Sequence, residues 1–284
     1  MAANIRLLRR RIKTAKNIAQ ITRAMEMVAA SKVRRAQEKT VASKPYTQKL
    51  TSVVRNLVGR VEGDSHPYLT EKEEGKTLLL LFSSDKGLCG SFNTILLREY
   101  LRIERAGQME VIAVGKKLQR HAARLGDVLI ANFSFGTTLP AFENVLPISR
   151  LIVDGYTKGT YKKIICIYME FVSISMQKPV TIVLLPIQRG TEVQEELVLP
   201  YTFEPHAREL LTGLMPHFLE MSLYQILLES YASEQAGRML AMHQASENAK
   251  DVIVDLSLTF NKVRQERITS ELLDMSGGAV GAGI

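Results

Sequence analysis

The sequence predicts an α/β domain with a mainly parallel five-stranded sheet, joined to a long antiparallel coiled coil made from its own two ends. Three observations carry this. Short β-type runs alternate with segments of helical spacing between about residues 76 and 203. Both ends of the chain are long apolar-striped stretches with almost no Pro or Gly. The 284 residues are too few to bury such helices along their length, since helices in globular domains average about 11–12 residues.

The first stretch runs from residue 2 to about 58. Ile5, Leu8, Ile12, Ala15, Ile18, Ile21, Met25, Val28, Val33 and Ala36 recur mostly three or four apart, which is one face of a helix. Pro45 is its one proline, and a kink is expected there before helix resumes to Leu57. Residues 2–44 alone span about 65 Å as a helix, at roughly 1.5 Å per residue. Gly59, Gly63, Asp64 and the His66-Pro67 pair then mark a loop.

In the middle of the chain, strands are expected at Thr77–Ser83, Glu110–Val114, Val128–Phe133, Lys163–Glu170 and Thr181–Leu185. Helices are expected between them at Ser91–Ile103, Lys116–Leu125 and Ala141–Thr157. This alternation argues for a Rossmann-like layer with a mainly parallel sheet, and Val172–Pro186 reads as an antiparallel pair at one edge.

The last stretch begins near Pro205 and is interrupted early by Pro216. From His217 to Met275 there is no proline and one glycine, Gly237. Its stripe includes Phe218, Leu227, Tyr231, Met239, Val252, Leu256, Phe260 and Ile268. Two apolar-striped helices of such length need each other, and alanines such as Ala15, Ala29, Ala232 and Ala249 permit close approach of their axes. A folded-back bundle of separate helices is the alternative. The expected division is 1–58 as N-terminal helix, 59–204 as α/β domain and 205–284 as C-terminal helix pairing with the first.

Composition narrows the function classes. Hydrophobic content of 46% and charged content of 23% describe a folded chain. The longest aliphatic or aromatic run, Leu78–Phe82, falls far short of the roughly 20 residues that a membrane helix needs. The net charge of +8 is uneven. Residues 1–50 hold thirteen Lys or Arg against two acids, Glu26 and Glu38, while the remainder is slightly acidic. Such an arm meets nucleic acid, an anionic membrane or an acidic protein surface, or is simply a solvated face. No aromatic residue precedes Tyr46, which argues against stacking on single strands. The Arg-rich start lacks a small-residue cleavage site and reads as mature structure rather than a transit segment.

No enzyme chemistry is visible. Gly75-Lys76-Thr77 resembles the tail of a phosphate loop, but Thr70 stands where that loop needs glycine, and a strand follows rather than precedes it. Ser83-x-x-Lys86 straddles a strand end and lacks its companion motifs. Asp85–Gly90 reads as a tight strand-to-helix turn that needs backbone freedom at Gly87 and Gly90. The five histidines have no metal spacing, and Cys89 and Cys166, 77 positions apart, form no zinc or redox motif. No cofactor and no metal are expected.

Two stretches carry a family resemblance. Ile21-Thr-Arg-Ala-Met-Glu-Met-Val-Ala-Ala-Ser-Lys32, with Arg34 and Ala36-Gln37, resembles the N-terminal helix of the gamma subunit of rotary F-type ATP synthases. Ala232–Met242, Asn261–Gln265 and Ile268-Thr-Ser-Glu-Leu-Leu-Asp-Met-Ser-Gly-Gly-Ala279 resemble its C-terminal helix. Ser84–Gly90 is similar to the family's first strand-to-helix turn, with Lys86 where Arg is commoner.

The resemblance implies a non-catalytic central shaft. Its paired helices sit within a ring of alternating alpha and beta subunits. Its α/β domain binds the epsilon subunit and the membrane c-subunit ring. It implies rotor–stator contact by Arg264, Gln265, Thr269 and Glu271, and shaft packing or coupling by Met25, Lys32 and Arg238. Tyr201, Phe203 and Glu204 match a foot segment facing the membrane ring. Ser270 replaces the usual Gln, which removes one hydrogen bond to the ring. The Pro186–Pro205 connector has no Cys, so plastid-type thiol regulation is not expected. The resemblance implies a bacterial complex, peripheral on the cytoplasmic side of the inner membrane, with no nucleic-acid partner. The charge-free tail Met275–Ile284 reads either as a bearing in an apolar collar or as a frayed Gly-rich end.

Overall fold

A computed structural model of the chain describes residues 2–60, 66–70, 72–103, 109–187, 204 and 206–281, without the side chains of 2–4, 59–60, 207 and 274–281. In order, the elements are α1 (Ala2–Arg60), β1 (Lys76–Phe82), α2 (Phe92–Arg102), β2 (Glu110–Val114), α3 (Gln119–Arg124) and β3 (Val128–Phe133). A 3₁₀ turn at Phe142–Asn144 follows, then α4 (Leu146–Thr157), β4 (Tyr161–Phe171), β5 (Gln177–Leu185) and α5 (Ala207–Gly281).

By contacts the chain divides into two compact units, residues 29–238 and residues 1–28 with 239–284. The larger unit holds the sheet, in the order β3-β2-β1-β4-β5. β1 pairs in parallel with β2 and β4, and β2 with β3. Only β5 runs antiparallel, returning along β4 from Phe171↔Gln177 to Ile164↔Leu185. A tight turn makes this return possible, with Ser173 and Met176 exchanging backbone hydrogen bonds.

Strand β1 shows why the sheet is central. Leu78, Leu79, Leu80 and Leu81 are all fully buried, as a continuous apolar run covered on both faces must be. Its side chains alternate between two cores. Leu78, Leu80 and Phe82 join Ile112, Ile164, Ile148 and Ile152 of α4, and residues of α1 and α5 such as Leu57 and Leu219. Leu79 and Leu81 face the other way, onto Phe92, Leu96 and Tyr100 of α2 and Ala122 of α3. Edge strand β3 alternates exposed and half-buried positions instead.

Within this unit, α1 and α5 pair through Ser43 with Gln225 and Tyr46 with His217. Ala36 packs with Tyr231 and Ala232. Both helices run through their prolines: α1 spans Pro45, and α5 spans Pro216, where the sequence predicts an interruption. An interior proline costs a helix about 3 kcal/mol, and the neighbouring helix offsets that cost with packing that sequence periodicity does not reveal.

In the smaller unit, Glu26 meets His243 and the Arg9 guanidinium lies 5.8 Å from the Phe260 ring. A step of 17 residues down α1 therefore matches 17 residues up α5, the register of an antiparallel pair. No helix among the described residues is long and apolar enough to cross a membrane.

Buried His66 tests the base of the larger unit. Its Nδ1 accepts the Tyr68 backbone N–H at 3.2 Å, so the ring is neutral, and burial holds its pKa below the usual value. The unfolded ring takes up a proton near pH ~6.5 and the folded one resists it. Stability contributed by this site is therefore complete above that pH and falls as the solution is acidified towards the folded value. The urea midpoint is expected to be lower at pH 5.5 than at pH 7.5 on this account. His66→Gln should remove that component of the slope.

Candidate functional site

The carboxyl ends of parallel strands, near the point where strand order reverses, are where open α/β sheets hold ligands. In this chain β1 lies between β2 and β4, so the reversal falls at the end of β1. The loop there, residues 83–91, is tightly fixed. Asn93 accepts from the Ser84 backbone N–H at 3.1 Å and donates to Ser84 Oγ at 2.7 Å and to Cys89 Sγ at 3.2 Å. Leu88 and Gly90 take positive φ of 63° and 61°. The unusual backbone thus falls at Leu88 and Gly90, while Gly87, expected to need the same freedom, has no positive φ.

Helix α5 fills the crevice. A Cβ added at Gly237 would stand 2.8 Å from the Cys89 carbonyl oxygen, so helix and loop touch backbone to backbone. Arg238 Nη2 donates to the Lys86 and Gly87 carbonyls at 3.3 Å each and to Glu234 Oε1 at 2.6 Å. Ser233 Oγ donates to the Met169 carbonyl of β4 at 3.2 Å. From α1, Lys32 Nζ reaches the Thr137 carbonyl at 2.6 Å, and Tyr231 Oη donates to the same oxygen at 3.1 Å. Asp85 Oδ2 accepts the Gly136 backbone N–H at 2.7 Å, tying the loop after β3 into the network.

Burial sets the electrostatics. It pushes the Glu234 carboxyl up, opposed by the adjacent Arg238 guanidinium. It also lowers Lys32, helped by the positive charge of Arg238. The Tyr231 phenol is pushed up to about 12, chiefly by burial and then by Glu234. Arg238 Nη1, Gln235 Nε2 and Asp85 Oδ1 are buried without a hydrogen-bond partner. Three elements are therefore clamped together by charge-assisted bonds, in the place where a related fold holds a substrate. The arrangement holds a helix and leaves no room for a nucleotide. Among the described residues no His, Cys, Asp or Glu group is fit to hold a metal ion.

Of the sequence-expected positions, Lys32 and Arg238 thus share one clamp. The structure does not bring the others to it. Met25 is half-buried on α1 of the smaller unit, and Arg264, Gln265, Thr269 and Glu271 are exposed along α5. Thr269 Oγ1 donates to the Gln265 carbonyl at 2.9 Å, and Glu271 pairs with Arg267 at 2.6 Å. Glu204 is exposed, while Tyr201 and Phe203 lie outside the described residues. Thr137, Asp85, Tyr231 and Glu234 carry the clamp without having been singled out for it. Only Glu234–Arg238 left a trace, as an i,i+4 pair of opposite charge.

The smaller unit has a second notable surface. Arg6, Arg9, Arg10, Arg11, Lys13 and Lys16 are all exposed. Among the described residues none of the six has an ion-pair partner. Ile21, Met27, Val28, Leu258, Leu272 and Leu273 are each more than half exposed. Exposed large apolar residues and exposed cations together are features of a surface suited to protein contact.

Comparison with known proteins agrees with this geometry. A family described as ATP synthase matches residues 4–281. The ATP synthase gamma chain of Dehalococcoides mccartyi is 40% identical over 281 residues, covering 98% of both chains. That of Legionella pneumophila is 34% identical over 284 residues, covering 98% of this chain and 99% of the relative. Among solved structures, a chain of the Euglena gracilis mitochondrial ATP synthase in rotational state 3 shares the fold, with a TM-score of 0.69 at 18% identity over 99% of this chain and 95% of that one. A chain from the central stalk and c-ring of the Tetrahymena thermophila enzyme gives 0.59 at 27% identity, covering 80% and 99%. Matched along nearly its whole length by relatives of one kind, the chain belongs to the gamma-chain family of ATP synthases.

Proposed function

We propose that this chain is the central shaft of a rotary ATP synthase, turning inside a ring of alpha and beta subunits and carrying rotation between that ring and a membrane c-subunit ring. The observation that carries the reading is the antiparallel pair of end helices with apolar and basic surfaces left open, in a chain of this family. A two-helix pair has no threefold symmetry. As it turns it presents a different face to each of three catalytic subunits. Each face favours one subunit conformation through differential contact, which is how a partner shifts an equilibrium. The chemistry belongs to the beta subunits, and this chain is non-catalytic. Its side of the membrane is the cytoplasmic one, and attachment comes through the c-ring and the epsilon subunit.

The residues divide by role. Arg264, Gln265, Thr269 and Glu271, exposed on one length of α5, contact the stator. The six exposed cations of α1 face acidic beta-subunit surfaces. Met25 supports the helix pair, while Lys32 and Arg238 hold both helices to the sheet. Tyr201, Phe203 and Glu204 form the foot towards the membrane ring. Exposed leucines on the same unit as the cations favour this protein partner over duplex DNA, whose backbone offers no apolar complement.

The test is co-purification. A tagged chain expressed with its neighbouring subunits is expected to bring alpha, beta and epsilon with it, and to show no ATP turnover alone. Failure to recover them would sink the reading. For the stator contact, Arg264→Ala with Gln265→Ala is expected to cut ATP-driven proton pumping about fivefold or more, the factor carried by lost contacts of roughly 1 kcal/mol. Unchanged pumping in reconstituted vesicles would remove the assignment.

A further inference from the structure

Pro45 of α1 and Pro216 of α5 are the prolines that lie inside the two long helices. They are not at unrelated levels. The residues that follow them, Tyr46 and His217, touch: Tyr46 Oη lies 2.8 Å from His217 Nε2, and the rings meet edge to face at 6.0 Å. Each proline deletes one helical hydrogen bond and crowds the preceding turn. In antiparallel partners the two defects therefore fall side by side.

The surrounding sequence weakens both helices further. Thr40, Ser43, Thr47 and Thr51 each turn a hydroxyl back onto a helix carbonyl, at 2.8 to 3.2 Å. Such bonds bend helices and replace strong formers with weak ones. On α5, Gly213 precedes Pro216, and Thr212 makes the same kind of bond to Arg208 at 3.0 Å.

Packing is lopsided at this level. On one side, Leu50 and Val54 of α1 and Met215 and Leu219 of α5 are locked into the core beneath the sheet. Beyond the prolines, Ala36, Tyr231 and Ala232 fix the helices again. Between these anchors lies an open groove of about 600 Å³, with Lys39, Ser43, Tyr46, Phe142, Met221 and Tyr224 among its walls. Around Pro216 the buried Leu211, Met215 and Leu219 hold α5 in that core, so the weak point anchored on both sides with space beside it is Pro45 of α1, whose neighbours Lys44 and Tyr46 are exposed.

We propose that Pro45 forms a built-in joint in α1, latched to the fixed α5 by the Tyr46–His217 hydrogen bond and braced by Phe142. Bending of α1 concentrates at this level and is directed into the groove. Phe142 sits 6.2 Å from the His217 ring and 5.7 Å from the Tyr224 ring, so the 3₁₀ turn limits the travel. The joint is a property of this chain alone and does not depend on the role proposed above.

Hydrogen exchange on the full chain tests this directly. Amides of 41–49 are expected to exchange faster than those of 29–36 in the same helix. Pro45→Ala, which restores the missing N–H, should slow exchange at 41–49. Tyr46→Phe, which removes the latch, should speed it about fivefold, the factor for one net hydrogen bond. Nitroxides at Gln37→Cys and Arg55→Cys give a second reading, since the native Cys89 and Cys166 are buried. Their distance distribution should narrow with Pro45→Ala and broaden with Tyr46→Phe. Uniform protection along α1 in the unmodified chain, or a distribution untouched by both substitutions, would overturn the joint.

Discussion

Arg238→Met is expected to lower the free energy of unfolding by about 3–5 kcal/mol, because it strands a buried carboxylate. Arg238 and Glu234 are only 7% and 6% exposed, and the guanidinium gives Glu234 its one charged hydrogen bond at 2.6 Å. The methionine fills much of the arginine's volume but supplies no donor. Two loop carbonyls, at Lys86 and Gly87, lose their partner as well. The variant should also acquire a characteristic pH dependence. Burial already raises the Glu234 pKa, and loss of the neighbouring cation raises it further. A carboxyl whose folded pKa exceeds its unfolded value favours folding below the unfolded pKa and loses that contribution as pH rises through the folded one. Urea unfolding is therefore expected to show a larger deficit at pH 8 than at pH 5. Adding Glu234→Gln to Arg238→Met should recover part of the loss, since an amide tolerates burial better than an unpaired charge. A deficit that is independent of pH would mean that packing, rather than the stranded charge, carries the effect.

Gly115→Ala is expected to be at least as damaging, at more than about 4 kcal/mol. Gly115 follows β2 with φ of +103°, and its N–H donates to the Phe133 carbonyl at 2.7 Å. A Cβ there would stand 2.0 Å from the Ser83 carbonyl oxygen and 2.6 Å from its carbon, both backbone atoms at the end of the central strand. Neither can move without opening the β1–β2 ladder. Gly126→Ala is the matched control: φ is +79°, but nothing lies within 4 Å of the added carbon. It should cost only the local strain, on the order of 1 kcal/mol. Thermal unfolding of the two variants side by side separates steric collision from backbone conformation.

The regular elements were legible because each rests on a local period. β1, β2 and β3 fall within a residue of the runs that announce them, and β4 and β5 extend beyond theirs because pairing continues through less apolar residues, Tyr161 with Lys76 of β1 and Gln177 with Phe171 of β4. Proline was misleading in the other direction. Pro216 reads as an interruption, yet α5 runs through it, because a partner helix at the same level outweighs the local penalty. The clamp was half legible. Lys32 and Arg238 stood out only through family resemblance, and their acceptors were invisible: Thr137 is 105 positions from Lys32, and the Lys86 carbonyl 152 from Arg238. Backbone carbonyls carry no sequence signature at all.

What the sequence by itself determined, then, is everything whose cause lies within a few turns of chain. That covers the two end helices, the alternating strands, the basic arm of thirteen cations in residues 1–50, and the motifs that place the chain in its family. Only the tertiary structure decided that the ligand crevice of the sheet is filled by α5, and that Arg238 is a buried clamp rather than a surface charge. It alone set the two prolines face to face. Those outcomes depend on which distant groups meet once the cores close, and apolar burial, which drives that closure, is non-directional and leaves no period to read.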